Sequence, residues 1–380
     1  MYHKLKKSLD KFVEEGKIKN FKTPFIFFDK SLLKENYLRI KNIFLNGKSH
    51  IHYAVKANSE LEVISELNNL GSGFEIASVG ELLKLEKLKV NPDKIIFSSP
   101  VKLEDHISYA YKFGIRTFSY DSTIELDKLA HLAPNSKVIL RIDVSNHGAR
   151  WKLDNKFGAE KKDWILLLEY AQKLKLKPIG ITFHVGWNNI KNSTWGRAMK
   201  MTGQLVKSAY KKNIKIKYVN IAGGFPAHLV DQEHYLNQIA NLLNPILLKL
   251  NKNYGIETII EPGTYVVANC AALITRIYSN IKREKRDWLF VDASITGGFY
   301  WILEGLIYDI YLAGPKNKLP YNNLYTITGP TCDSQDTFTK KIKLPKELSN
   351  GDILAISPAG AYITSSEEYN GFPYPKTKYF

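Results

Sequence analysis

Short apolar, β-branched runs alternate along this chain with longer runs of helical spacing, and that alternation limits the possible folds more than any other feature. The apolar runs are Ile51–Ala57, Gly73–Ser78, Lys94–Pro100, Thr117–Asp121, Lys137–Asp143, Ile179–Val185, Tyr218–Gly223 and Thr258–Glu261. Between them, Ser59–Leu70 puts Leu61, Ile64, Leu67 and Leu70 on one helical face, and Trp164–Leu176 and Tyr235–Leu250 behave similarly. Parallel neighbours need a crossover each time, so eight strands separated by helices predict a (β/α)8, TIM-like barrel. After about Gly263 the long helices stop. Tyr265–Ile274, Trp288–Asp292, Leu324–Thr328, Lys341–Leu344 and Asp352–Ile356 read as strands between Gly, Pro and Asn. The expected organisation is a barrel over 24–263 and a C-terminal β domain over 264–380, with residues 1–23 packed on the latter.

A barrel presents its functional groups at the C-terminal ends of its strands. The polar residues there are Lys56, Glu75, Ser98, Asp121, Arg141 with Asp143, His184, the Gly223–Gly224 pair and Glu261, and they are expected to ring one mouth. Lys56 closes a strongly apolar run, where an amine must be paired with a carboxylate or modified to escape the penalty of burial. A Schiff base with pyridoxal phosphate (PLP) is one such modification, and it turns the lysine into a catalyst. His184 is either structural or a ring that stacks on a flat cofactor. Gly223–Gly224 is either a simple turn or a place where backbone N–H groups approach a phosphate. Glu261 is either part of a surface turn or the partner of a pyridine nitrogen. Beyond the barrel, Cys332 is either a buried inert cysteine or, with the adjacent carboxylate of Asp333, an acid beside a substrate anchor, and the phenol of Tyr362 suits a phosphate.

Composition narrows the partners. The two cysteines, Cys270 and Cys332, exclude a disulfide framework and a multi-cysteine zinc site, so no metal is expected. No apolar run approaches the roughly 18 residues of a membrane span, and Met1–Asn20 has no apolar signal core. A cytoplasmic protein without a membrane partner is the expectation. The formal charge of +17 comes from lysines scattered over the whole chain without a nucleic-acid motif, so they read as solvated helix faces.

Taken in order, nine segments resemble the ornithine/diaminopimelate decarboxylase family of alanine-racemase-fold PLP enzymes. They are Tyr53–Asn58, Gly73–Glu75 with Ala77–Ser78, Lys156–Gly158, Phe183–Gly186, Gly223–Pro226, Glu261–Gly263, Gly329–Asp333, Gly360–Tyr362 and Asn370–Phe372. The resemblance implies that Lys56 holds the cofactor, that His184 stacks on its ring, and that Glu261 faces the ring nitrogen. It makes Gly223, Gly224 and Tyr362 phosphate contacts, and Glu75 and Arg141 supporting residues. It further implies a homodimer with shared sites, in which Cys332 as proton donor and Asp333 as substrate contact come from the other subunit, with Lys156 and Asp336 as an ion pair between subunits. Tyr308–Asp309 resembles a pair whose aspartate contacts a distal amine, so the implied substrate is a basic amino acid such as ornithine or lysine. Meso-diaminopimelate, carboxynorspermidine, a siderophore-pathway diamino acid conjugate, a racemase and an inactive regulatory homologue are the alternatives. Three positions depart from the family pattern: Trp187 replaces a serine, Ala222 a glycine and Thr264 an arginine, all around the phosphate. Losing the arginine removes a charge-assisted contact.

Overall fold

A computed structural model of the chain describes residues 2–152, 156–227, 231–283, 286–363 and 375–380. The chain divides into two compact units, Lys34–Val266 on one hand and Met1–Leu33 with Val267–Phe380 on the other. The first strand, β1 (Phe25–Phe28), belongs to the second unit, so the barrel unit begins about ten residues later than the sequence suggested.

Unit Lys34–Val266 is a closed barrel of eight parallel strands: β2 (His50–Ala54), β3 (Gly73–Ile76), β4 (Ile95–Phe97), β5 (Thr117–Tyr120), β6 (Lys137–Arg141), β7 (Lys177–Thr182), β8 (Tyr218–Asn220) and β9 (Glu257–Ile260). Each strand pairs with its successor, and the ring closes through His50 against Ile259 and Ile51 against Ile260. Strands covered on both faces need continuous apolar runs, which is why β6 buries Val138, Ile139 and Leu140 completely. Inside the ring, Ile96, Ile139 and Ile259 form one buried cluster. The helices predicted from spacing are Leu61–Asn69, Trp164–Lys173 and Gln232–Tyr254. Ser78 and Ser122 begin two others, Val79–Lys87 and Thr123–Leu132, by accepting the backbone N–H of Glu81 and Glu125.

The other unit carries an eight-stranded sheet. Its strands are β1 together with β10 (Ala271–Ile281), β11 (Asp287–Val291), β12 (Asp309–Ala313), β13 (Asn323–Thr328), β14 (Thr337–Leu344), β15 (Ile353–Ser357) and β16 (Lys376–Tyr379). Antiparallel β1 and β10 pair Phe25 with Ile274 and Phe28 with Ala271. The predicted strand Tyr265–Ile274 is displaced, because Thr264–Val267 forms a helical turn and pairing starts only at Ala271. Helix Tyr2–Glu14 belongs to this unit and buries Leu5, Leu9 and Phe12, spaced by four and three residues. Phe12 meets Phe27 at 5.2 Å and Phe380 at 4.7 Å between ring centroids.

Candidate active site

The C-terminal strand ends of the barrel enclose one cavity, lined by Lys56, Glu75, Ser98, Arg141, Thr182, Phe183, His184, Ala222 and Glu261. Strand β2 stops at Ala54, and a single 3-10 turn, Val55–Ala57, carries Lys56 onto the mouth. Its side chain is 44% accessible and Nζ donates to Glu75 Oε2 at 2.5 Å. The expectation of a buried lysine is therefore corrected: the turn lifts the amine into the cavity, and Glu75, 4% accessible, is the buried member of the pair.

Glu261 follows β9 and is buried. Ser98 Oγ and Asn220 Nδ2 both donate to its Oε1, each at 2.7 Å. Burial, and then the charge of Glu75, push its carboxyl up to about 7. Burial also pulls the Arg141 guanidinium down, against the attraction of Glu261 and Asp121. Asp121 in turn accepts the backbone N–H of Gly158 at 2.9 Å. The His184 ring is held down to about 3 by burial first and then by the charges of Arg141 and Lys56. The N–H of Gly186 donates to His184 Nδ1 at 3.0 Å, so the neutral ring carries its proton on Nε2.

Beside this cavity the backbone is packed too tightly for side chains. A Cβ on Gly223 would lie 2.7 Å from the Glu261 carbonyl oxygen. One on Gly224, at φ +88, would lie 2.3 Å from that of Gly186. Neither glycine N–H has a hydrogen-bond partner among the described residues, which leaves two amide donors for an anion. Ala222 holds a left-handed φ of 51°, a conformation glycine adopts more readily. Two of the three departures from the family pattern are bonded to each other, since Trp187 Nε1 donates to Thr264 Oγ1 at 3.0 Å. Trp187 also packs on Trp151, with centroids 4.4 Å apart.

An amine with its counter-ion, a buried carboxyl with one oxygen already saturated, a neutral imidazole and two unpaired amides fit the aldehyde, ring nitrogen, ring face and phosphate of PLP. Asn220 escaped the sequence reading because it lies inside the run Tyr218–Gly223, where the glycines drew attention; its position at the end of β8 was the available signal. Glu81 also escaped; burial and then Glu75 push it up to about 7, and it accepts the Ala77 N–H at 2.7 Å.

The remaining predicted residues lie in the sheet unit. Cys332 is exposed. Asp333 accepts the N–H of Gln335 at 2.8 Å. Their loop is organised by buried Asp336, whose oxygens accept the N–H of Ile295 and both the N–H and the hydroxyl of Thr331. Both oxygens of Asp336 are thus engaged by its own chain, while Lys156 is exposed. Asp309 is exposed at the start of β12, next to buried Tyr308. Tyr362, at φ 60°, meets Trp301 edge-on. A Cβ on Gly360 would collide with the Val267 carbonyl oxygen. Asn370–Phe372 lies outside the described residues.

Residues 31–268 match the model of the pyridoxal-dependent decarboxylase family, pyridoxal binding domain. The chain is 30% identical over 357 residues to lysine/ornithine decarboxylase of Selenomonas ruminantium, covering 93% of this chain and 88% of that one. It is 32% identical over 337 residues to antizyme inhibitor 2 of Xenopus laevis, covering 84% and 73%. The structure of the Selenomonas ruminantium lysine decarboxylase with PLP and cadaverine superposes with a TM-score of 0.85 at 27% identity, covering 96% and 92%. The barrel and the sheet unit agree with these matches, and the chain belongs to the PLP-dependent ornithine/diaminopimelate-type decarboxylases.

Proposed function

We propose that this chain decarboxylates a basic L-amino acid bearing a second amine, of the lysine or ornithine kind, to the corresponding amine and CO2. The observation that carries the reading is Glu261, buried with its Oε1 saturated by Ser98 and Asn220, in one cavity with the amine of Lys56. Bound PLP supplies a protonated ring that takes up the electron pair left when CO2 departs. Glu261, in its ionised form, holds the proton on the ring nitrogen. Lys56 would hold the cofactor through its amine, and Glu75, already its partner, would keep that amine in place whenever it is free. Neutral His184 offers an uncharged face to the ring, and the amides of Gly223 and Gly224, with the Tyr362 hydroxyl, bind the phosphate. Arg141 balances the charge of Glu75 and Glu261.

The protein acts as a cytoplasmic homodimer in this reading. The partner subunit's Cys332 delivers a proton to the substrate Cα, and the partner subunit's Asp333, with Asp309, binds the distal amine. Support comes from the exposure of Cys332, from the two carboxylates, and from the names of the similar proteins. Among the described residues, no helix is long and apolar enough to cross a membrane.

The test is CO2 release by the PLP-loaded protein from L-lysine, L-ornithine, L-arginine and meso-diaminopimelate. Release from lysine or ornithine, with the matching diamine as product, is expected. Release only from meso-diaminopimelate would reassign the substrate. No release despite retained cofactor would favour an inactive regulator, the reading prompted by Ala222, Trp187, Thr264 and the likeness to antizyme inhibitor 2.

A further inference from the structure

The barrel has a second cavity at the opposite end from Lys56, among the N-terminal ends of its strands, with a volume of about 410 Å³. Its floor is apolar. Ile96, Ile139 and Ile259 form the buried cluster, with Ile179 and Tyr218 packed against it. Its rim is cationic, because Lys41, Lys94 and Lys137 line it and none of them pairs with a carboxylate among the described residues. The lining carboxylate is Asp93, and lining His50 is already bonded to Glu257 at 2.6 Å. Three lysines against one aspartate leave an excess of positive charge over an isoleucine floor.

The walls do not close the well. Gly71 and Gly73 line it without side chains, and a Cβ on Gly73 would lie 2.6 Å from His52 Nδ1. That Nδ1 is buried and lacks a hydrogen-bond partner. The imidazole is pushed down to about 4, mainly by burial, so it adds a polar edge and no charge at neutral pH.

We propose that this well binds a small amphipathic anion, an aromatic or branched aliphatic carboxylate, with its apolar body on the isoleucines and its carboxylate among Lys41, Lys94 and Lys137. The volume lies within the usual range of about 300–1,000 Å³ for small-molecule sites. An inorganic anion would leave the apolar floor wet, and a neutral apolar ligand would leave the lysines unused. A diamine is repelled by the same rim, so the site is not a second place for the product of the proposed reaction. Binding in this well does not depend on that reaction.

The probe is 3-phenylpropionate, with 3-phenylpropan-1-amine as control, followed by saturation-transfer NMR and calorimetry on the full PLP-loaded chain. The carboxylate is expected to bind and the amine not to. In the double variant Lys94→Ala, Lys137→Ala, the loss of charged contacts is expected to weaken binding at least about tenfold. Ile179→Trp, which fills the well, should abolish it, and circular dichroism checks that both variants are folded. Three results would overturn the proposal: no binding up to about 10 mM, equal binding by the lysine variant, or displacement of the probe by a ligand of the catalytic end.

Discussion

Replacing Glu261 by Gln separates the chemical role of this carboxyl from its structural one. Ser98 and Asn220 both donate to Oε1 at 2.7 Å, and the amide oxygen of Gln can accept the same two bonds. The other terminal atom then becomes an NH2, which donates where a carboxylate accepts. Loss of a charged hydrogen bond is worth about 1.5–3 kcal/mol. Single-turnover CO2 release at saturating PLP is therefore expected to slow roughly 10- to 100-fold. The substitution also has a pH signature in the cofactor-free protein. The carboxyl titrates at about 7 in the folded chain, because burial and then Glu75 oppose its ionisation, against 4.5 without those influences. Between these values the folded chain retains a proton that the unfolded chain has released. Rising pH thus favours unfolding through this group, and the loss is complete above about pH 7. A displacement of this size corresponds to about 3 kcal/mol. Relative to the wild type, the cofactor-free Gln variant should gain up to that amount as pH rises from about 4.5 to 8, read from urea midpoints. A stability difference that stays flat across this range would refute the assignment of a raised carboxyl. Undiminished turnover would refute its catalytic role.

Other perturbations test the surrounding structure. Gly223→Ala puts a methyl 2.7 Å from the Glu261 carbonyl oxygen; it should cost about 1–3 kcal/mol and weaken PLP binding, and unchanged melting and affinity would contradict the tight approach. Lys102 is fully buried, with Nζ on Glu125 at 2.7 Å and on the carbonyls of Ser119 and Ser99. Lys102→Met leaves Lys128 as the ion-pair partner of Glu125, so urea unfolding should show a loss of about 3 kcal/mol; no loss would mean the triad contributes nothing. Cys332→Ala should slow protonation without affecting PLP retention, and mixing it with Lys56→Ala should restore part of the activity through hybrid dimers. Confirmed hybrids that remain inactive would contradict a shared site.

The barrel was legible because strands buried on both faces must be apolar throughout, and each of the eight runs contains or overlaps a strand. Strand β1 was overlooked because Phe25–Phe28 is only four residues long and pairs with segments about 250 and 350 residues away. The displaced start of β10 has the same origin, since an apolar run does not reveal where its neighbour begins to pair. At the site, Lys56, Glu75, Arg141, His184 and Glu261 were found from position alone, as polar residues closing apolar strands. Their mutual arrangement was hidden. Ser98 and Asn220 converge on one oxygen of Glu261 from 163 and 41 residues away. The link between Trp187 and Thr264 spans 77 residues, so two substitutions that look independent in sequence are one structural change. The accessibility of Lys56 was misjudged because the run Ile51–Ala57 looks like unbroken strand, whereas its last three residues form a turn.

Lys56 as the cofactor-bearing lysine is tested most directly by loading the protein with PLP, reducing it with borohydride, digesting it and locating the modified lysine by mass spectrometry. One phosphopyridoxyl group per chain, on Lys56, is the expected result. Modification at another lysine, or none on a folded and fully PLP-saturated chain, would contradict it.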